Sequence, residues 1–229
     1  RYTERALELD PGEAARAIGL LQSLGRFDEA LQLTWFWLLR DPLSDGAHAS
    51  HGLTLLMARR LAEAEPHWRR AISLNPEGAL WKPAFLAMIM GFQGEYHEAL
   101  DFLENQPENL YNQTVLSWLY QQLDMTEESE RELAQVTAML GPGAHFALAR
   151  LHALLGDADA AFEQLDYLDT FDHWNRERYW PMYWPIEHDP RWHQFLEKAG
   201  VSDAQLAEIE FNFKMNPEPS SFLRTTQER

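Results

Sequence analysis

A small residue returns along this chain at a near-constant interval and in the same setting each time. Ala30, Ala64, Ala99, Ser129 and Ala161 are about 34, 35, 30 and 32 residues apart. Each follows a turn-like stretch and an acidic helix start, as in Gly25 to Ala30, Gly94 to Ala99 and Gly156 to Ala161. Two antiparallel helices approach closely only where one of them carries little bulk, so a recurring small residue marks a recurring helix pair. A single pair cannot bury its apolar face alone, and its copies must therefore stack. The expected fold is all-α: a right-handed α-solenoid of helical hairpins with a C-terminal helical cap.

The second unit carries the fullest pattern. It reads His48-x2-His51-Gly52-x2-Leu55, then Ala64-x3-Trp68, then Pro76. This resembles the tetratricopeptide repeat, W-x2-L-G-x2-Y…A-x3-F…P. His48 and His51 depart from the large apolar residues of that pattern. Looser copies include Leu86-Ala87 with Ala99 and Leu103, Leu116-Ser117 with Ser129 and Leu133, and Leu148-Ala149 with Ala161 and Leu165. The repeats are expected to fill residues 11–170. Residues 1–10 resemble the closing helix of a preceding repeat, so the chain reads as a fragment of a longer protein. Residues 171–212 read as an aromatic capping segment and 213–229 as a polar tail.

Punctuation supports the hairpins. Pro11, Pro42, Pro76, Pro107 and Pro142 fall between units, where proline cannot continue a helix. Gly25, Gly94 and Gly156 fall at the turns inside units, as helix-ending glycines do. Asp28, Glu29, Glu98, Glu127, Glu128 and Asp159 crowd the starts of second helices, where they complement the helix dipole. Thr126 resembles another helix entry. No run of alternating β-branched residues suggests a sheet.

Composition narrows the function. The net charge of -17 argues against nucleic acid, since binding phosphates requires clustered Lys and Arg. Apolar runs such as 84–90 are too short to span a bilayer, so no membrane segment is expected. Zero cysteines exclude disulfides and thiol catalysis and fit a reducing, cytoplasmic setting. No phosphate loop or nucleotide fingerprint occurs, and no cofactor is expected. His48 and His51 stand one helical turn apart, but at packing positions of the repeat. Together with His188, Asp189 and His193, interrupted by Pro190, they give no metal-ligand pattern. The chain itself is read as a non-enzyme.

The tetratricopeptide resemblance implies that the first helix of each unit lines a concave groove. Register then nominates Gln22, Met57, Trp81, Met88, Phe92, Tyr111, Trp118, Gln121, Gln122, Phe146 and Arg150 as its wall. Aromatic and methionine side chains with few charges suit an apolar peptide or protein segment. The expected partner is a protein or peptide, from the parent's own N-terminal part or from a second copy in a homo-oligomer. Trp180, Trp184 and Trp192 are expected to bury against the fifth repeat as the cap. The stretch from His188-Asp189-Pro190-Arg191-Trp192 to Phe211 resembles the C-terminal end of bacterial multidomain regulators. In those, a repeat array follows an adenylate cyclase or a winged-helix domain, which implies a regulatory scaffold. The alternative is a small-molecule-binding or hydrolytic helical domain built on residues 172–193, with Asp172, His173 and Glu187 in one closed cavity.

Overall fold

A computed structural model describes residues 11–168 and 177–209. Ten helices come first: α1 (Pro11–Ser23), α2 (Phe27–Arg40), α3 (Asp45–Met57), α4 (Leu61–Leu74), α5 (Lys82–Phe92), α6 (Tyr96–Glu104), α7 (Leu110–Gln122), α8 (Thr126–Leu140), α9 (His145–Leu154) and α10 (Ala158–Asp166). Two short 3-10 stretches follow (Glu177–Tyr179 and Pro181–Ile186), then α11 (Pro190–Lys198) and α12 (Asp203–Ala207). No strand occurs among the described residues. Consecutive helices pack as five hairpins, α1 with α2 through α9 with α10, and each second helix also packs on the first helix of the next pair. The fold is an α-solenoid of helical hairpins. The expected closing helix over 1–10 and the tail over 213–229 lie outside the described residues.

All five hairpins turn in the same way. The N–H groups of Arg26, Arg60, Glu95, Met125 and Asp157 donate to the carbonyls of Leu21, Leu55, Met90, Tyr120 and His152 at 2.9–3.0 Å. That bond requires the preceding residue to adopt the left-handed conformation. Gly25, Gly94 and Gly156 do so at φ of 68°, 88° and 77°, and Arg59 and Asp124 do so at 60° and 59°. A side chain in that region costs about 1–2 kcal/mol. Two of the five turns therefore carry strain that glycine avoids in the other three.

The recurring small residues sit where the pattern demands. Ala30, Ala64, Ala99 and Ala161 are wholly buried. Ser129, which takes their place in the fourth hairpin, donates its hydroxyl to the Ser117 carbonyl at 2.8 Å and so is buried without an unpaired polar atom. In the second hairpin, Trp68 is enclosed and stacks on Phe85 at 5.1 Å. A side chain at Gly52 would meet the Trp68 indole at 2.8 Å, which explains why the repeat keeps a glycine there. α5 is apolar on every side because it runs through the middle of the array; residues 84–91 are all buried. Lys82, at its start, is buried in an ion pair with Asp45, and Asp45 also accepts from Asn75 at 3.1 Å. Among the described residues, no helix is long and apolar enough to cross a membrane.

The cap divides differently from the sequence expectation. Trp192 is buried, stacked on Tyr183 at 4.8 Å and on Phe195 at 5.5 Å, in a core shared with Ala149, Ala153, Ala161 and Phe162 of the fifth hairpin. Trp180 and Trp184 are only half-buried: Trp180 packs against that core and also on Phe85 of the third hairpin, and Trp184 reaches Phe92 of the third. The 3-10 stretch is the cause. With three residues per turn, Tyr183 and Ile186 share one face and point into the fifth-hairpin core, while Trp184 is turned away from it.

Candidate functional site

The face shared by the first helices is where the site forms. Residues 177–187, here called the strap, lie against it. Its first 3-10 stretch packs on α1 and its second on α9, so it joins the opening hairpin to the last. Tyr179 meets the Phe27 ring edge-on at 5.0 Å and covers Gly25 so closely that no side chain fits beneath it. Burial raises the Tyr179 phenol above its ordinary pKa. Trp180 meets Phe85 of α5 edge-on at 5.5 Å, and Trp184 meets Phe92 at 4.8 Å.

Two arginines frame these indoles. Arg150 of α9 lies over Phe146 at 3.9 Å and over Trp180 at 4.9 Å. Arg59, at the strained turn between α3 and α4, lies over Trp184 at 4.6 Å and pairs with Glu187. A guanidinium over an aromatic face is attracted by the ring quadrupole. A third arginine, Arg178, ties the strap to the cap: it donates to the Val201 carbonyl at 2.6 Å and pairs with Asp203.

The nominated groove residues differ in where the structure places them. Phe92, Phe146 and Arg150 touch the strap or its immediate neighbours. Met57 and Trp118 are buried beneath that surface, with Trp118 4.9 Å from Phe92. Trp81 is half-buried against Trp68 and Phe85, each at 5.6 Å. Met88 is wholly enclosed in the core and Gln22 is buried, donating to Thr54 at 2.9 Å, so neither presents a surface. Tyr111, Gln121 and Gln122 are exposed, with Gln121 donating to the Leu155 carbonyl at 3.2 Å.

Sequence reasoning missed Arg59, Phe85, Tyr179 and Glu187 as groove residues. Arg59 had a signal: it stands where three of the other four turns carry glycine. Beside the strap lies a cavity of about 550 Å³ lined by Met57, Arg59, Trp184, Glu187, Trp192 and His193, among others. Glu187 is committed there to Arg59, and His193 reaches Glu197 one helical turn away. Asp172 and His173, the other members of the hydrolytic constellation, lie outside the described residues.

A histidine cluster occupies the second hairpin. His51 sits 2.7 Å from the Thr34 hydroxyl, His48 and His67 meet through their Nδ1 atoms at 3.1 Å, and the rings of His51 and His67 are 4.5 Å apart. Burial first, and the neighbouring His67 and Arg60 next, lower His51 to about 4. His67 is lowered by burial and by His48. Both are held neutral, as packing residues are. Among the described residues, no group of three or more His, Asp or Glu could hold a metal ion.

No protein-family model matches the chain, and no curated protein matches it. Solved structures do. YrrB, a TPR protein with an unusual peptide-binding site, is 19% identical over 77% of this chain and 96% of its own, with a TM-score of 0.50. The MamA RS-1 ArsTM double mutant is 16% identical, covering 67% and 89%, at 0.48. A tetratricopeptide repeat protein from Parabacteroides merdae is 19% identical, covering 85% and 82%, at 0.47. The likeness to YrrB is one of fold: the chain has the architecture of a tetratricopeptide-repeat array.

Proposed function

We propose that this chain is a protein-interaction scaffold, a regulatory module of a larger bacterial protein, which binds a peptide or domain on the aromatic face of its first helices. One observation carries the reading. That face already seats two indoles of a short aromatic segment, Trp180 on Phe85 and Trp184 on Phe92, as a peptide groove would seat anchors. The peptide-binding site of YrrB, on the same kind of fold, is in keeping with it. The partner is a segment of the parent's N-terminal part or of a second copy. To test this, a partner captured with the intact chain is titrated against the Phe92→Ala variant. Loss of about 2 kcal/mol, the scale of an interface anchor, is expected; unchanged affinity sinks the groove as the site.

The cavity beside Arg59 favours a second reading, a small-molecule-binding domain, because about 550 Å³ lies within the range of ligand pockets. Phe92 does not line it, so a ligand of that cavity keeps its affinity in Phe92→Ala.

A further inference from the structure

We infer that the strap is a resident, displaceable ligand of the groove, and that the outside partner is a peptide of the same chemistry: two aromatic residues four apart, with a carboxylate three residues further on. This rests on the groove reading above and adds to it the identity of the partner and the means of regulation. The strap is the template. Trp180 and Trp184 supply the aromatics, and Glu187 supplies the carboxylate. Each meets a complementary group on the array. Phe85 and Arg150 receive Trp180, Phe92 and Arg59 receive Trp184, and Arg59 alone reads both Trp184 and Glu187. A chain of net charge -17 that places two arginines at this one aromatic face selects an acidic aromatic segment there.

The two sides of the strap are held unequally, and this makes it displaceable. Tyr183 and Ile186 are fully buried in the core of the fifth hairpin and cap, and Trp180 packs against that core as well as on Phe85. The groove side is half-buried, and its ion pair leaves Arg59 and Glu187 52% and 41% exposed, where water and salt weaken it. Arg59 also holds its position against left-handed strain. The groove side therefore opens first, while the strap stays anchored to the cap. A competing peptide then takes the Trp184 seat and the Arg59 contact first, and the Trp180 seat after them. In the resting chain the strap keeps those seats closed to weaker or non-aromatic segments.

The test uses the intact chain and a fluorescein-labelled peptide copying residues 179–187, read by fluorescence anisotropy. Binding is expected at least tenfold tighter in Glu187→Lys and in Trp184→Ala than in the unmodified chain. Glu187 is exposed, so its replacement leaves the core untouched, and a far-UV melt confirms that both variants are folded. Adding Phe92→Ala to Glu187→Lys should abolish the gain, and a scrambled peptide should show none. Equal affinity in all strap variants, still dependent on Phe92, refutes displacement while leaving the groove standing. Binding indifferent to Phe92→Ala, or absent from every variant, refutes the seat itself and with it this inference.

Discussion

Replacing Arg59 separates two opposed effects that the structure places on one residue. Its backbone, at φ of 60°, carries about 1–2 kcal/mol of left-handed strain. Its side chain lies over Trp184 at 4.6 Å and pairs with Glu187. An exposed cation–π contact contributes about 0.5–1 kcal/mol, and an exposed ion pair about 0.2–1. Arg59→Ala keeps the strain and loses both contacts, so it should destabilise the fold by about 1–2 kcal/mol. Arg59→Gly loses the same contacts but relieves the strain, and should return to within about 1 kcal/mol of the unmodified chain. Asp124 is the control. It holds the same turn position at φ of 59° with an exposed side chain, so Asp124→Gly should stabilise by up to about 1 kcal/mol. Urea denaturation followed by circular dichroism reads all three. Equal stabilities for Arg59→Ala and Arg59→Gly would refute the strain argument, and an Arg59→Ala variant as stable as the unmodified chain would show that the strap contacts contribute nothing.

Ala64 is wholly enclosed between α3 and its own helix, so Ala64→Leu should cost about 1–3 kcal/mol by overpacking, read as a lowered urea midpoint. His51 is buried with its pKa depressed to about 4, below the ordinary value of 6.5, so the unfolded chain takes up its proton first as the pH falls. Its stabilising contribution is complete above about pH 6.5 and is lost progressively down to about pH 4, in total about 3 kcal/mol. His67, lowered in the same direction, steepens that loss. Denaturation curves across this window should flatten in His51→Gln; an unchanged slope would show that His51 does not titrate against folding.

The periodic part of the fold was legible because it rests on local rules. A small residue every thirty-odd positions and a glycine five residues before it suffice to place Ala30, Ala99 and Ala161 inside hairpins. Arg59 and Asp124 fill two of the five turn positions without glycine, and there the repeat register, not a local signal, marks the turn. Of the residues that groove register nominates, Phe92 and Arg150 lie beside the strap, whereas Met88 is enclosed by the central position of α5. What could not be read was the destination of the aromatic segment. That Trp180 spans the last hairpin and the third while Trp184 reaches the third depends on a three-residue helical turn and on a partner at Arg59, more than a hundred residues away. Contacts of that separation leave no periodic trace in a sequence.

The first-helix face, rather than the second-helix side on which Glu127 and Glu128 open α8, is the surface proposed to meet the partner. Photo-crosslinking from p-benzoylphenylalanine at position 111 tests it most directly, because Tyr111 lies on a first helix and is 48% exposed. Position 127, an exposed glutamate opening the acidic second helix α8, is the comparison. A crosslinked partner from position 111, with a higher yield when Glu187→Lys loosens the strap, is the predicted result. Crosslinking from position 127 alone, lost at high salt, would place the partner on the second helices and contradict the proposal.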